Sequence, residues 1–150
     1  MLAPVERLLD ALVDPARRER ACLLLLLTYA AVWGLYGAIA KSSQDLHFDM
    51  GEVVALSREN LIGTPKHPPL GSWLVRLWFG VFPLTDWSYY LFAILVATVG
   101  LWIAWKLSSQ YLDGEKRVVG LALLTLVPFF NFHALKFNAN TVLIDRKSVV

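Results

Sequence analysis

Residues 21–40, ACLLLLLTYAAVWGLYGAIA, carry no charged side chain. A helix needs about 20 apolar residues to cross a hydrocarbon core of about 30 Å. At a rise of about 1.5 Å per residue, this stretch is long enough. Residues 87–105 and 118–135 are also uncharged, and residues 70–85 are apolar except for Arg76. An arginine at mid-span costs at least about 2.5 kcal/mol on insertion scales, so Arg76 must snorkel, pair or face a polar cavity. The expected fold class is all-α. It is a polytopic transmembrane helical protein with spans over about 21–40, 70–85, 87–105 and 118–135. Its first loop is extracytoplasmic and contains short juxtamembrane helices.

The composition agrees. The chain has 150 residues, 57% hydrophobic and 17% charged, where a soluble domain holds roughly 45–50% and about 25%. One cysteine, Cys22, excludes a disulfide framework and a Cys-based zinc site. A net charge of +2 with scattered basic residues argues against nucleic acid as a partner. Six Trp, five Tyr and eight Phe suit the aromatic belts of a membrane interface.

The first apolar run reads as a retained span rather than a signal peptide. Acidic Glu6, Asp10 and Asp14 precede it, and no small-x-small cleavage site stands before Ser42. In residues 1–14, Leu2, Val5, Leu8, Leu9, Leu12 and Val13 fall near helical spacing until Pro15 interrupts. That segment is either a short amphipathic surface helix or a partly ordered tail.

Arg17, Arg18 and Arg20 directly precede the first span, which sets the N-terminus in the cytoplasm and residues 41–69 beyond the membrane. If 70–85 crosses, the loop 106–117, with Lys106, Lys116 and Arg117, falls outside, against the same rule. If 70–85 is re-entrant or interfacial, the conflict disappears. At the other end, the apolar character of 137–144 changes abruptly to DRKSVV at 145–150. The expectation is a truncated reading frame with a foreign tail, the alternative a short cytoplasmic tail.

The polar chemistry is concentrated in residues 41–70, KSSQDLHFDMGEVVALSRENLIGTPKHPPL. Asp49 and Glu52 are three residues apart, and EVVALSREN (52–60) reads as a short surface helix carrying Arg58 and Glu59. Lys66 and His67 precede Pro68-Pro69. Proline suits the first turn of a helix, so this pair is held at the mouth of the next one. Asp49 has the chemistry to take a proton from an attacking hydroxyl. Lys66 and His67 suit a phosphate at the level of the lipid headgroups, and Arg58 adds a planar fork. Together they fit a transfer whose leaving group is a lipid phosphate. The opposing reading leaves the acids solvated, makes Lys66 a headgroup anchor and lets Arg76 snorkel. There is no nucleophile triad and no Gly-rich phosphate loop. His47, His67 and His133 are too dispersed for a metal site, so neither metal nor cofactor is expected, although two carboxylates are able to hold a divalent ion.

DLHFDMGE (45–52), LSREN (56–60) and PKHPPLGSWLVR (65–76), following one span, resemble the N-terminal part of glycosyltransferase family 39. This group holds the dolichyl-phosphate-mannose protein mannosyltransferases and their bacterial relatives among the C-type membrane glycosyltransferases. The resemblance covers roughly residues 20–144. It implies an enzyme that transfers a sugar from a polyprenyl-phosphate donor, with inversion, to a lipid, glycan or protein acceptor on the extracytoplasmic side. It also implies an integral protein of the bacterial inner membrane, with its active loop in the periplasm. Asp49 matches the first acidic residue of the family's Asp-Glu motif. Met50 stands where the second acidic residue belongs, and Glu52 is the candidate substitute. The family's Lys-Pro-Pro becomes Lys66-His67-Pro68-Pro69, with the lysine displaced by one. Asn140 replaces a downstream aspartate. By the family's count 70–85 crosses the membrane. The resemblance therefore implies Asp49 as the catalytic residue, with Glu52, Arg58, Lys66 and His67 binding substrate. The rival readings are a non-catalytic membrane subunit, a component of a lipid or sugar transporter, and an inactive fragment. Transporter sites lie at mid-membrane on broken helices, whereas here the polar density lies in a loop.

Overall fold

The computed structural model describes residues 3–43, 48–59 and 69–137, and its regular elements are all helical. They are α1 (Ala3–Val13), α2 (Arg18–Ala40), α3 (Phe48–Arg58), α4 (Pro69–Phe79), α5 (Asp86–Ser108) and α6 (Gly114–Leu126), followed by one 3₁₀ turn, Pro128–Phe130. Among the described residues, helices α2 and α5, each 23 residues long, are the two that are long and apolar enough to cross a membrane.

The break between α1 and α2 is built by Asp14. Its Oδ1 accepts the Ala16 amide at 2.9 Å and its Oδ2 pairs with Arg17 Nε at 2.6 Å. Its carbonyl receives the Arg18 amide at 2.8 Å. Pro15 has no amide to continue the first helix. The segment expected to be amphipathic is thus helical, with Leu12 buried and Val5, Leu8 and Leu9 exposed.

Helices α2 and α5 run antiparallel. At one end Lys106 Nζ lies 3.1 Å from Glu19 Oε2. At the other, Gly37 approaches the side chain of Tyr90. Helix α2 is apolar all round, so polarity does not choose its buried face; size does. Cys22, Leu26, Ala30, Gly34 and Gly37 are buried, spaced by three or four residues in a single stripe. Between helices in lipid, close packing rather than removal of apolar area from water drives association, and small residues let the backbones approach. One cluster, Leu12, Cys22, Leu26, Leu101, Trp105 and Leu121, fills the end near α1 and α6. A second, centred on Met50, Val75, Tyr89, Ile94 and Phe137, fills the opposite end.

Two expected spans are helical over shorter lengths. Helix α4 has 11 residues, a rise of about 16 Å and so roughly half a hydrocarbon core. It ends where Gly80, Val81 and Phe82 turn back on the carbonyls of Arg76 and Trp78, just before Pro83. Helix α6 has 13 residues and stops before Pro128, which has no amide to extend the ladder. Beyond it the chain passes through the 3₁₀ turn and further turns, and Leu135 and Phe137 reach the α3 end of the α2–α5 pair. Polar side chains occupy backbone carbonyls at this break. Asn131 Nδ2 donates to Thr125 O at 3.2 Å, and the Tyr29 hydroxyl donates to Phe130 O.

Candidate active site

The expected surface helix over 52–60 starts four residues earlier, at Phe48, so Asp49 lies inside α3 with Glu52 rather than ahead of it. Asp49 is in the first turn, where the exposed amides of the helix favour a carboxylate, and Arg58 is in the last turn, where the carbonyls favour a cation. The buried face of α3 carries Met50, Val53 and Ser57. It packs on α4, whose own buried face carries Gly71 and Val75. The Tyr89 hydroxyl lies 3.5 Å from Met50 O and 3.3 Å from Phe137 O. Trp78 Nε1 donates to Ser88 Oγ at 2.9 Å. These contacts seat α3 and α4 on the first turn of α5. At about 100° per residue, Asp49 and Glu52 share one flank of α3, as i and i+3 neighbours.

Arg58 does not join them. Nine positions separate it from Asp49, which places the two on opposite flanks of α3 and about 14 Å apart along its axis. The structure instead brings Arg58 to Arg76 of α4. Both line a groove of about 470 Å³, together with Ser57, Phe79, Gly80 and Leu84. The arginine expected to interrupt a span is exposed at the wall of an amphipathic groove. A smaller groove of about 200 Å³ adjoins it, lined by Gly51, Thr85, Asp86 and Tyr89 among others. Lys66 and His67 lie outside the described residues, as does the Asn140 position. Among the described residues no group of three His, Cys, Asp or Glu is placed to hold a metal ion.

Reasoning from sequence missed the Arg58–Arg76 pairing and the place of Asp86 beside α3. The signals were weak. Arg76 read as an isolated charge in an apolar run, and Asp86 stands alone just ahead of the uncharged stretch 87–105.

Taken together, the two long apolar helices and the short helices stacked at one end of them define an all-helical membrane protein. Comparison of the sequence with known families gives the chemistry. The profile of the dolichyl-phosphate-mannose-protein mannosyltransferase family matches residues 66–145, more than half of the chain. The chain belongs to that family and is a membrane glycosyltransferase of the mannosyltransferase type. Lys66, His67 and Arg76 fall within the matched stretch, whereas Asp49, Glu52 and Arg58 precede it. No similar curated protein and no similar solved structure was found.

Proposed function

We propose that the chain acts in the inverting transfer of a sugar from a polyprenyl-phosphate donor to an acceptor hydroxyl at the extracytoplasmic membrane surface. One observation carries the reading: Asp49 and Glu52 stand side by side on a short helix seated at one end of the α2–α5 pair, in a chain of this family. Asp49 takes the proton of the acceptor hydroxyl as its oxygen bonds to the sugar's anomeric carbon. The bond from that carbon to the phosphate oxygen breaks, and the lipid phosphate departs with the electron pair. Glu52 orients the acceptor. Lys66 and His67 hold the leaving phosphate, and His67 does so only when protonated, so donor binding weakens towards alkaline pH. Arg58, on the far flank of α3, has no part in this step.

The antiparallel pair supports the sidedness. Helices α3 and α4 connect the end of α2 to the start of α5, so their polar groups all belong to one end of the pair. With Arg17, Arg18 and Arg20 cytoplasmic, that end is extracytoplasmic. The rival transporter reading would use the break at Pro128 as a mid-membrane site. Side chains of the protein already occupy the Thr125 and Phe130 carbonyls there, which favours the enzyme.

The test is Asp49→Asn in the full chain, reconstituted in bilayers and supplied with a lipid-linked sugar donor and an acceptor. Transfer is expected to fall by at least about a hundred-fold, the contribution of a general base. Turnover near that of the unaltered chain would remove Asp49 from the mechanism.

A further inference from the structure

Two arginines line one groove on the side of α3 away from the carboxylates. Arg58 is exposed in the last turn of α3, and Arg76 is exposed on α4. The groove between them is amphipathic: Ser57 and the two arginines lie against Phe79 and Leu84. Its outer lip continues into an apolar stripe. Leu70, Trp73 and Leu77, spaced by three and four residues on α4, are 47%, 52% and 70% exposed, while Val75 on the opposite face is fully buried. Arg76 follows Trp73 by three residues and is therefore its neighbour on the helix surface. A helix with an exposed Leu-Trp-Leu stripe suits the interfacial layer of a bilayer, with the indole at headgroup depth. A cation beside that stripe sits where lipid phosphates sit.

We propose that the Arg58–Arg76 groove binds the phosphate of an anionic glycerophospholipid, with the acyl chains lying along Leu70, Trp73 and Leu77. Charge chooses this occupant. Two guanidiniums match a headgroup that carries net negative charge better than a zwitterionic one, whose own cation they would repel. Each guanidinium has five N–H donors, so either one can serve a protein neighbour and still fork onto a phosphate oxygen. The position on α3 separates this site from the reaction. A phosphate held here is on the opposite flank from Asp49, so it is not the leaving group. Its effect is to pin the α3–α4 unit to the membrane surface and hold the carboxylates at a constant depth. The site does not depend on the transferase reading, because it rests on the groove and the stripe alone.

The experiment is native mass spectrometry of the full chain released from nanodiscs containing phosphatidylglycerol and phosphatidylcholine, before and after Arg58→Gln with Arg76→Gln. The unaltered chain is expected to retain phosphatidylglycerol in preference to phosphatidylcholine. The double variant should retain it about ten- to thirty-fold less, the effect of two surface arginines on an anionic lipid. Circular dichroism checks that the variant is helical. If it is not, Leu84→Glu, at an exposed rim position, sets a carboxylate beside the guanidiniums and is expected to give the same loss. Equal retention of both lipids by the unaltered chain overturns the proposal. So does displacement of the lipid by inorganic phosphate, which would make this a site for the free anion. Selective loss of added polyprenyl phosphate with phosphatidylglycerol retained would give the groove to the sugar donor instead. Loss of transfer in Asp49→Asn with lipid retention unchanged separates the two sites. Failure of Asp49→Asn to reduce transfer sinks the proposed mechanism and leaves this inference standing.

Discussion

Arg117 Nη2 lies 3.3 Å from Glu19 Oε1, joining the first turns of α6 and α2 across 98 residues of chain. The guanidinium is buried. Its Nε and Nη2 donate to Trp105 O at 3.0 and 2.7 Å, and its Cζ sits 3.8 Å from the centre of the Trp105 ring. Glu19 also holds Lys106, so one carboxylate faces two cations from two other helices. Removing Glu19 leaves Arg117 buried with its counter-charge gone. Because Glu19 is partly exposed, the cost falls below that of breaking a fully buried pair, at about 1–2 kcal/mol. Glu19→Gln is therefore expected to lower the thermal midpoint. Arg117→Lys should lower it further, since lysine keeps the charge but loses both the fork and the flat stack on Trp105. A Glu19→Gln midpoint equal to that of the parent would show that the pair adds nothing.

Two glycines on the packed face of α2 are expected to respond differently to the same change. A methyl at Gly34 would meet Leu91 at 3.5 Å and Ile94 at 3.7 Å, ordinary contact distances. At Gly37 it would lie 2.9 Å from Leu135 Cδ2 and 3.2 Å from Tyr90 Cβ. The leucine tip is able to swing aside, but Tyr90 Cβ is fixed to the backbone of α5. Gly34→Ala should be neutral, or stabilise by up to about 1 kcal/mol through helix propensity. Gly37→Ala should destabilise by about 1–3 kcal/mol as an overpacking change. Unfolding of the two variants side by side in detergent checks this. A Gly37→Ala variant as stable as Gly34→Ala would mean that α2 and α5 are not in close contact at Gly37.

The same contrast shows what was legible beforehand. The two long helices follow from the absence of charge over 21–40 and 87–105, because cost in the membrane is read directly from composition. The packed face of α2 does not follow, because leucine, alanine and glycine are equally apolar and only geometry separates them. The short helix α4 falls in 70–85, which read as a span because it is apolar except for Arg76. Its length is set by Gly80 and Pro83, and its position by Trp78 bonding to Ser88, a contact between two elements. Arg117 read as one of three basic residues in the loop 106–117, and its burial depends on a carbonyl from α5 that no local pattern reveals. Asp49 and Glu52 were legible as a pair because their spacing lies within one helix. The meeting of Arg58 with Arg76 spans two helices and was not.

The Asp14 junction gives a pH dependence with a definite sign. The Ala16 amide, and after it the Arg17 guanidinium, hold the exposed Asp14 carboxyl below the ordinary 3.8. A carboxylate with a lowered folded-state value adds stability that is present above the unfolded value and is lost as pH falls through the folded one. The α1–α2 junction should therefore be firm at neutral pH and loosen in acid, below 3.8. Asp14→Asn keeps the acceptor for Ala16 but not the charge. It should be less stable than the parent at neutral pH and equal to it in strong acid. Amide exchange at Ala16 and Arg17, followed against pH in both chains, checks the convergence. A gap that widened on acidification would reverse the assignment.

The antiparallel pairing of α2 and α5 predicts which positions share a side of the membrane. If α4 crossed, Ser42 and Val81 would face opposite compartments. Because α2 and α5 run in opposite directions, the segment between them begins and ends on one side, and α4 is too short to leave that side and return. The natural cysteine, Cys22, is fully buried, so single cysteines introduced at exposed positions report without interference. Ser42→Cys and Val81→Cys should react with an impermeant maleimide from the same face of oriented membranes. Tyr111→Cys, in the turn between α5 and α6 and 84% exposed in the parent, should react only from the other. That second face is the one that carries Arg17, Arg18 and Arg20, so the arrangement also removes the conflict over Lys106 and Lys116, which then lie on the side that basic residues prefer. Labelling of Tyr111→Cys together with Ser42→Cys, with Val81→Cys reacting from the other face, would require α4 to cross and would undo the sidedness on which the proposed reaction rests.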